Sequence, residues 1–244
     1  MFKRFLILSF LHFAASHLIA QQTVTFTAED GVVVTADHYV VSTQKPYLIL
    51  LHQAGYSRGE YRETAPKLAN LGFNCLAVDL RSGNEVNFIK NQTAVDATTK
   101  QLPNSYISAI ADIQAAINFV ASRSNKPIIL VGSSYSASLA LVEATENFKI
   151  KAVVAFSPGE YFGEELNVKQ STSSICIPIL TLSSRMEFAD CKTLLDHVPS
   201  KHINFFRPSE GEGVHGSRAL WERNPTHHEY WMALTQFFSG LNIK

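Results

Sequence analysis

The chain has 244 residues, 46 % of them apolar and 17 % charged, with 21 basic and 21 acidic side chains. This is enough apolar material for one sizeable core and too little charge for a disordered tail. The balanced charge excludes a field that would steer the chain to nucleic acid or an anionic membrane, so function must be sought in a site within a single α/β-sized domain.

At the N-terminus, Lys3 and Arg4 precede the apolar stretch Phe5 to Leu11, and a weakly apolar region ends at Ala20. The pattern is that of a signal peptide over residues 1–20, with cleavage near Ala20 and export of residues 21–244 to the periplasm or medium. His12, Ser16 and His17 interrupt the segment, and it falls short of the roughly 20 mostly apolar residues of a membrane span. No membrane span is expected in the mature chain. Three cysteines follow, an odd number that cannot all pair within one chain. Cys176 and Cys191 are a candidate bridge in an oxidising compartment, and Cys75, inside an apolar run, reads as a buried free thiol.

Thr23 to Thr27 and Val32 to Val41 flank Glu29-Asp30-Gly31 and predict an antiparallel hairpin. Short, solidly apolar runs follow at 47–51, 74–78, 127–131, 152–156, 177–182 and 202–206. Runs of this kind are the mark of parallel strands covered on both faces. Helical periodicity falls near 61–71, 106–122, 136–146, 190–197 and 227–241; in the second, Ile107, Ile110, Ile113, Ile117 and Val120 form one apolar stripe. Two longer connections, 80–105 and 157–176, show no clear period. Both are expected as walls of the crevice at the strand C-termini and are too short for a lid domain. Asn91-Gln92-Thr93 matches a glycosylation sequon, which has meaning only in a eukaryotic secretory host, and a chance match is as good a reading.

The run Pro127 to Val131 leads into Gly132-Ser133-Ser134-Tyr135-Ser136 and then into the helix-compatible Ala137 to Val142. A serine on such a strand-turn-helix projects into the crevice, and crowding requires small residues two before and two after it. Gly132 and Ser136 satisfy this for Ser134, whereas Ser133 would need Val131 and Tyr135 to be small. A nucleophilic serine needs a histidine base and a carboxylate to orient it. His215 lies beyond the last strand between Gly213 and Gly216, in a loop able to fold back, while His227 and His228 precede the final helix and His202 opens a strand. For the acid, Glu187 follows the 177–182 run, with Glu160 and Asp190 as alternatives. One oxyanion donor is expected from the N–H of Tyr135, at the start of the helix after the serine. His52 has no partner at zinc-like spacing and reads as structural, so no metal is expected.

With Leu50 to Gly55, Leu71 to Gly83, Gly132 to Ser136, Phe156 to Tyr161 and Gly213 to Ser217 in place, the chain resembles the α/β-hydrolase superfamily. The nearest likeness is to small, lidless, secreted bacterial members of the dienelactone hydrolase and simple carboxylesterase kind. The resemblance implies a three-layer α/β-hydrolase fold, with a mostly parallel central sheet of about eight strands, an antiparallel N-terminal hairpin and no lid domain. It implies the order Ser134, Glu187, His215 and places Glu187 where the family carries its carboxylate. It also places the second oxyanion donor at Ala54, with Gln53, which replaces a family glycine, as runner-up. The expected function is hydrolysis of small carboxylic esters, short-chain or polar, through an acyl-enzyme on Ser134, without a cofactor. A serine peptidase, a thioesterase or a non-catalytic binding protein of the same fold are the alternatives, and the oligomeric state stays open.

Overall fold

The computed structural model describes residues 20–199 and 201–242. The leader expected over residues 1–20 therefore lies outside the described residues, apart from the backbone of Ala20. Strands β1 (Ala20–Thr27) and β2 (Val33–Val40) form the expected hairpin. After β3 (Tyr47–Leu51) come a 3-10 turn at Arg58–Tyr61, helix α1 (Thr64–Asn70) and β4 (Asn74–Val78). Next are a short hairpin of β5 (Glu85–Val86) and β6 (Ile89–Lys90), α2 (Gln92–Thr99) and α3 (Ile110–Ala121). The second half runs through β7 (Ile128–Ser133), α4 (Tyr135–Glu146), β8 (Ile150–Phe156), α5 (Val168–Ser171), β9 (Ile179–Leu182), α6 (Phe188–Leu194), β10 (Ile203–Phe206) and α7 (His227–Gly240).

Eight strands build one sheet in the order β1-β2-β4-β3-β7-β8-β9-β10, in which β2 alone runs against its neighbours. Because successive side chains leave a strand on opposite faces, each solidly apolar run feeds two cores at once. Tyr47, Ile49 and Leu51 of β3 pack with Ile113, Leu139 and Ala140 from α3 and α4, while Leu48 and Leu50 pack with Leu68 of α1 and Leu234 and Phe237 of α7. The layers are helix, sheet, helix, as expected.

The connection 80–105 departs from its expected irregularity, since it holds the β5–β6 hairpin and α2. Asn91 caps α2 by accepting from the Ala94 N–H, and Thr93 and Asp96 on that helix accept from the Thr35 and Val33 N–H groups of β2. Asn91 is 1 % exposed, and its amide donates to the carbonyls of Tyr56 and Leu80, so the sequon asparagine is interior rather than a glycan site. The bridge proposed for Cys176 and Cys191 is not formed: all three cysteines are free, Cys176 exposed, Cys75 and Cys191 buried. Burial pushes the Cys191 thiol up to about 12, which makes it inert as a nucleophile. No described helix is long and apolar enough to cross a membrane.

Candidate active site

Parallel strands deliver their C-terminal loops to one end of the sheet, and there the expected residues gather. Ser134 stands between β7 and α4 with φ +62° and ψ −126°, a left-handed conformation that costs a non-glycine residue on the order of 1–3 kcal/mol and marks functional sites. The sequence register is explained by crowding: a Cβ on Gly132 would lie 2.4 Å from Ala137 Cα and 2.6 Å from Ser136 O. At Ser136 a hydroxyl does what glycine cannot. It accepts from the Ser133 N–H at 2.9 Å and donates to Leu51 O at 2.8 Å, tying the turn to the end of β3.

Glu187 follows β9 and its Oε2 accepts from the Ser157 hydroxyl (2.9 Å), the Ser184 hydroxyl (2.8 Å) and the Ser184 N–H (3.1 Å). Its Oε1 is left for His215 Nδ1, with which it makes a short contact. Burial works to raise the Glu187 carboxyl, but the hydrogen bonds from His215 and Ser184 outweigh it and hold the group down at about 2. A carboxylate accepts only, so the His215 Nδ1 carries the proton in this contact. Neither alternative acid reaches the imidazole. Glu160 is exposed and accepts from the N–H groups of Val168 and Lys169 at the start of α5, and Asp190 is exposed in the first turn of α6.

Two backbone links seat the histidine loop beside the serine. The Gly216 N–H donates to Ser157 Oγ at 3.0 Å and the Ser217 N–H to Ser133 Oγ at 2.8 Å, and Ser134 itself donates its N–H to Phe156 O at 2.8 Å. Among the described residues no hydrogen bond joins the Ser134 hydroxyl to His215; such bonds commonly tighten only when substrate is bound. The Ser134 side chain instead faces the hydroxyl of Tyr161, which donates to Ser157 O at 2.8 Å. The Tyr161 ring lies over Gly159, where an added Cβ would sit 2.9 Å from it.

Of the expected oxyanion donors, Tyr135 opens α4, where N–H groups have no partner within the helix. Its side chain is buried, the hydroxyl accepting from the Ser82 hydroxyl at 2.6 Å and the ring stacking on Tyr106 at 4.6 Å. In the loop after β3, the Gln53 N–H is already given to Glu60 Oε2 at 2.8 Å, which removes Gln53 as runner-up. The Ala54 N–H has no protein acceptor among the described residues. His52 stiffens this loop as a structural residue. Its Nε2 accepts from the Leu80 N–H at 2.8 Å, so its Nδ1 donates to Gln53 O at 2.8 Å, and burial holds it neutral by lowering it to about 4. No grouping of three or more His, Cys, Asp or Glu suited to a metal occurs among the described residues. Sequence reasoning gave no role to Ser157, Ser184, Ser133, Ser217, Tyr161 and Glu60, although Ser133, Ser157, Tyr161 and Ser217 lie within the segments that carry the resemblance.

Residues 30–201 match the family described as the dienelactone hydrolase family. No curated protein sequence matches the chain. Among solved structures, an esterase of Pyrococcus furiosus aligns with a TM-score of 0.66 at 19 % identity, over 91 % of each chain. A dienelactone hydrolase of Anabaena variabilis aligns with a TM-score of 0.68 at 15 % identity, over 91 % of this chain and 98 % of that one. An acylaminoacyl peptidase of Pyrococcus horikoshii aligns at 0.63 and 11 % identity, over 93 % of this chain and 42 % of its own. At these identities the likeness is one of fold, the α/β-hydrolase fold, on which many chemistries are built.

Proposed function

Because the chain belongs to the dienelactone hydrolase family, and is thus a hydrolase of the α/β type, we propose that it cleaves small carboxylic esters through an acyl-enzyme on Ser134. The observation that carries this reading is the Glu187–His215 pair, held by Ser157 and Ser133 against the strained turn that presents Ser134. In the proposed reaction His215 Nε2 takes the Ser134 proton as Oγ bonds to the ester carbonyl carbon. Glu187 stabilises the imidazolium, and the N–H groups of Ala54 and Tyr135 receive the oxyanion. The imidazolium then protonates the departing alkoxide. Water, deprotonated by the same nitrogen, releases the acid and restores Ser134. With no domain among the described residues inserted over the crevice, short-chain or polar esters suit it better than long lipids. We also propose that the protein acts after export, with the leader removed near Ala20.

The test is covalent labelling of the purified protein by a fluorophosphonate, alongside Ser134→Ala and His215→Ala. Wild type is expected to label, Ser134→Ala not at all, and His215→Ala at least about a thousandfold more slowly. A wild type that fails to label where a control hydrolase does overturns the serine mechanism. A panel of esters, thioesters and peptides then separates the esterase reading from a thioesterase or peptidase.

A further inference from the structure

Glu60 is 0 % exposed, and the reaction above makes no use of it. A buried carboxylate is costly unless its oxygens are fully hydrogen-bonded, and this one is served from three separate loops. Oε2 accepts the Gln53 N–H at 2.8 Å; Oε1 accepts the Ser133 hydroxyl at 2.8 Å and the Ser217 hydroxyl at 2.6 Å, with the Gln53 amide at 3.4 Å. Gln53 adjoins the proposed oxyanion donor Ala54, Ser133 adjoins Ser134, and Ser217 follows His215 by two residues.

The backbone that presents the carboxylate is itself fixed. Trp221 Nε1 donates to Glu60 O at 2.8 Å and the Tyr61 hydroxyl to Leu51 O at 2.8 Å. At the neighbouring Gly59 a Cβ would lie 2.3 Å from Val86 O.

We propose that Glu60 is a positioning residue of this site, one carboxylate that sets the mutual register of the nucleophile turn, the histidine loop and the oxyanion loop. The inference rests on the hydrolase reading above. Hydrogen-bond polarity explains why a carboxylate is needed. The Gln53 N–H can only donate. The Ser133 oxygen already accepts from the Ser217 N–H, so its own proton is directed to Glu60. An acceptor-only group therefore belongs at the centre, and an amide of the same shape would set N–H against donors. Gly216 leaves no slack for the loops to readjust, since a Cβ there would lie 2.7 Å from Ser133 Oγ and 3.2 Å from Gln53 Oε1.

The experiment measures steady-state hydrolysis of p-nitrophenyl acetate and the fluorophosphonate labelling rate for wild type, Glu60→Gln, Ser133→Ala and Ser217→Ala, with urea unfolding of each. For Glu60→Gln the expected result is a fall in kcat of about 10- to 100-fold, the scale of a misplaced catalytic group. KM should stay within about threefold and labelling should slow in parallel with kcat. Ser217→Ala, which keeps the carboxylate, is expected to lose part of the same kcat and to add little in a Glu60→Gln background. A folded Glu60→Gln with kcat and labelling within about twofold of wild type overturns the inference. Should Glu60→Gln not fold, unchanged kcat in both serine variants overturns it equally. A wild type that neither labels nor hydrolyses overturns the hydrolase reading and this inference together, whereas equal labelling of wild type and Glu60→Gln overturns the inference alone.

Discussion

Glu187 shows how a single carboxylate is committed to one partner. Three donors occupy Oε2, and the remaining oxygen can only meet His215. The sequence ranks Glu187 above Glu160 and Asp190 by its place after a strand, but which carboxylate meets His215 depends on contacts among residues 157, 184 and 215, which exist only once β8 and β9 lie side by side. Ser134 and His215 were legible because their constraints are local: small neighbours for one, flanking glycines for the other. Glu60 was illegible for the opposite reason, since its partners at 53, 133 and 217 are brought together by three loops with no shared periodicity. The Glu187 pair has a measurable consequence for stability. Its folded value of about 2 lies below the ordinary 4.5, so its contribution is fully present above pH 4.5 and is lost as pH falls toward 2. That contribution is on the order of 3 kcal/mol. In urea titrations the gap between wild type and Glu187→Gln should be wide at pH 6 and close between about pH 4.5 and 2. A gap independent of pH would show that the carboxylate charge contributes nothing.

At the scale of elements, sequence and structure agree wherever burial dictates pattern and part where it does not. The stripe of isoleucines predicted α3 to within a few residues, with a 3-10 turn at Ile107–Ala109 taking the place of its first turn. In the stretch 80–105, β5 and β6 are two residues each, too short to show alternation. Helix α2, Gln-Thr-Ala-Val-Asp-Ala-Thr-Thr, is rich in threonine, a poor helix former. It is held instead by its cap and by its bonds to β2. The β5–β6 turn carries an identifiable strain. Asn87 and Phe88 have φ of +52° and +63°, the pair of left-handed residues that a two-residue type I′ hairpin demands and that Asn-Gly supplies best. Phe88 is 91 % exposed and gains little packing for a conformation that costs a side chain about 1–2 kcal/mol. Phe88→Gly should therefore stabilise the protein by about 0.5–1 kcal/mol after the added chain entropy of glycine, a rise of roughly 1–4 °C in Tm. Differential scanning calorimetry checks this, and a fall in Tm would show that the ring has a packing role.

At the scale of the whole molecule, the sheet's existence was legible in its apolar runs, but its strand order was not: β4 lies between β2 and β3, and an apolar run buried on both faces looks the same at any place in a sheet. The hairpin is joined to the rest of the crevice end by ion pairs that have no sequence signature. Arg81, after β4, is 1 % exposed. It donates to Asp112 at the start of α3 through its backbone N–H (2.8 Å), Nε (3.1 Å) and Nη2 (2.8 Å), and Nη2 reaches Asp30 in the turn between β1 and β2 at 3.0 Å. Burial works to raise the Asp112 carboxyl while its bonds to Arg81 oppose this, and the net direction is upward. The pair is therefore expensive to bury but more expensive to break, because either partner alone is an uncompensated buried charge. The two aspartates should differ sharply. Asp112→Ala leaves the buried backbone N–H and Nε of Arg81 without an acceptor and Asp30 as the guanidinium's remaining carboxylate, and should cost about 3 kcal/mol in urea unfolding. The Asp30 side chain is 34 % exposed, so water can replace it, and Asp30→Ala should cost about 1 kcal/mol or less. Equal losses from the two substitutions would mean that Arg81 is held by its charge in general rather than by the buried contact with α3. The larger loss at Asp112 would identify that contact as the clamp between the end of β4 and the helical layer, with Asp30 adding the β1–β2 hairpin to it only weakly.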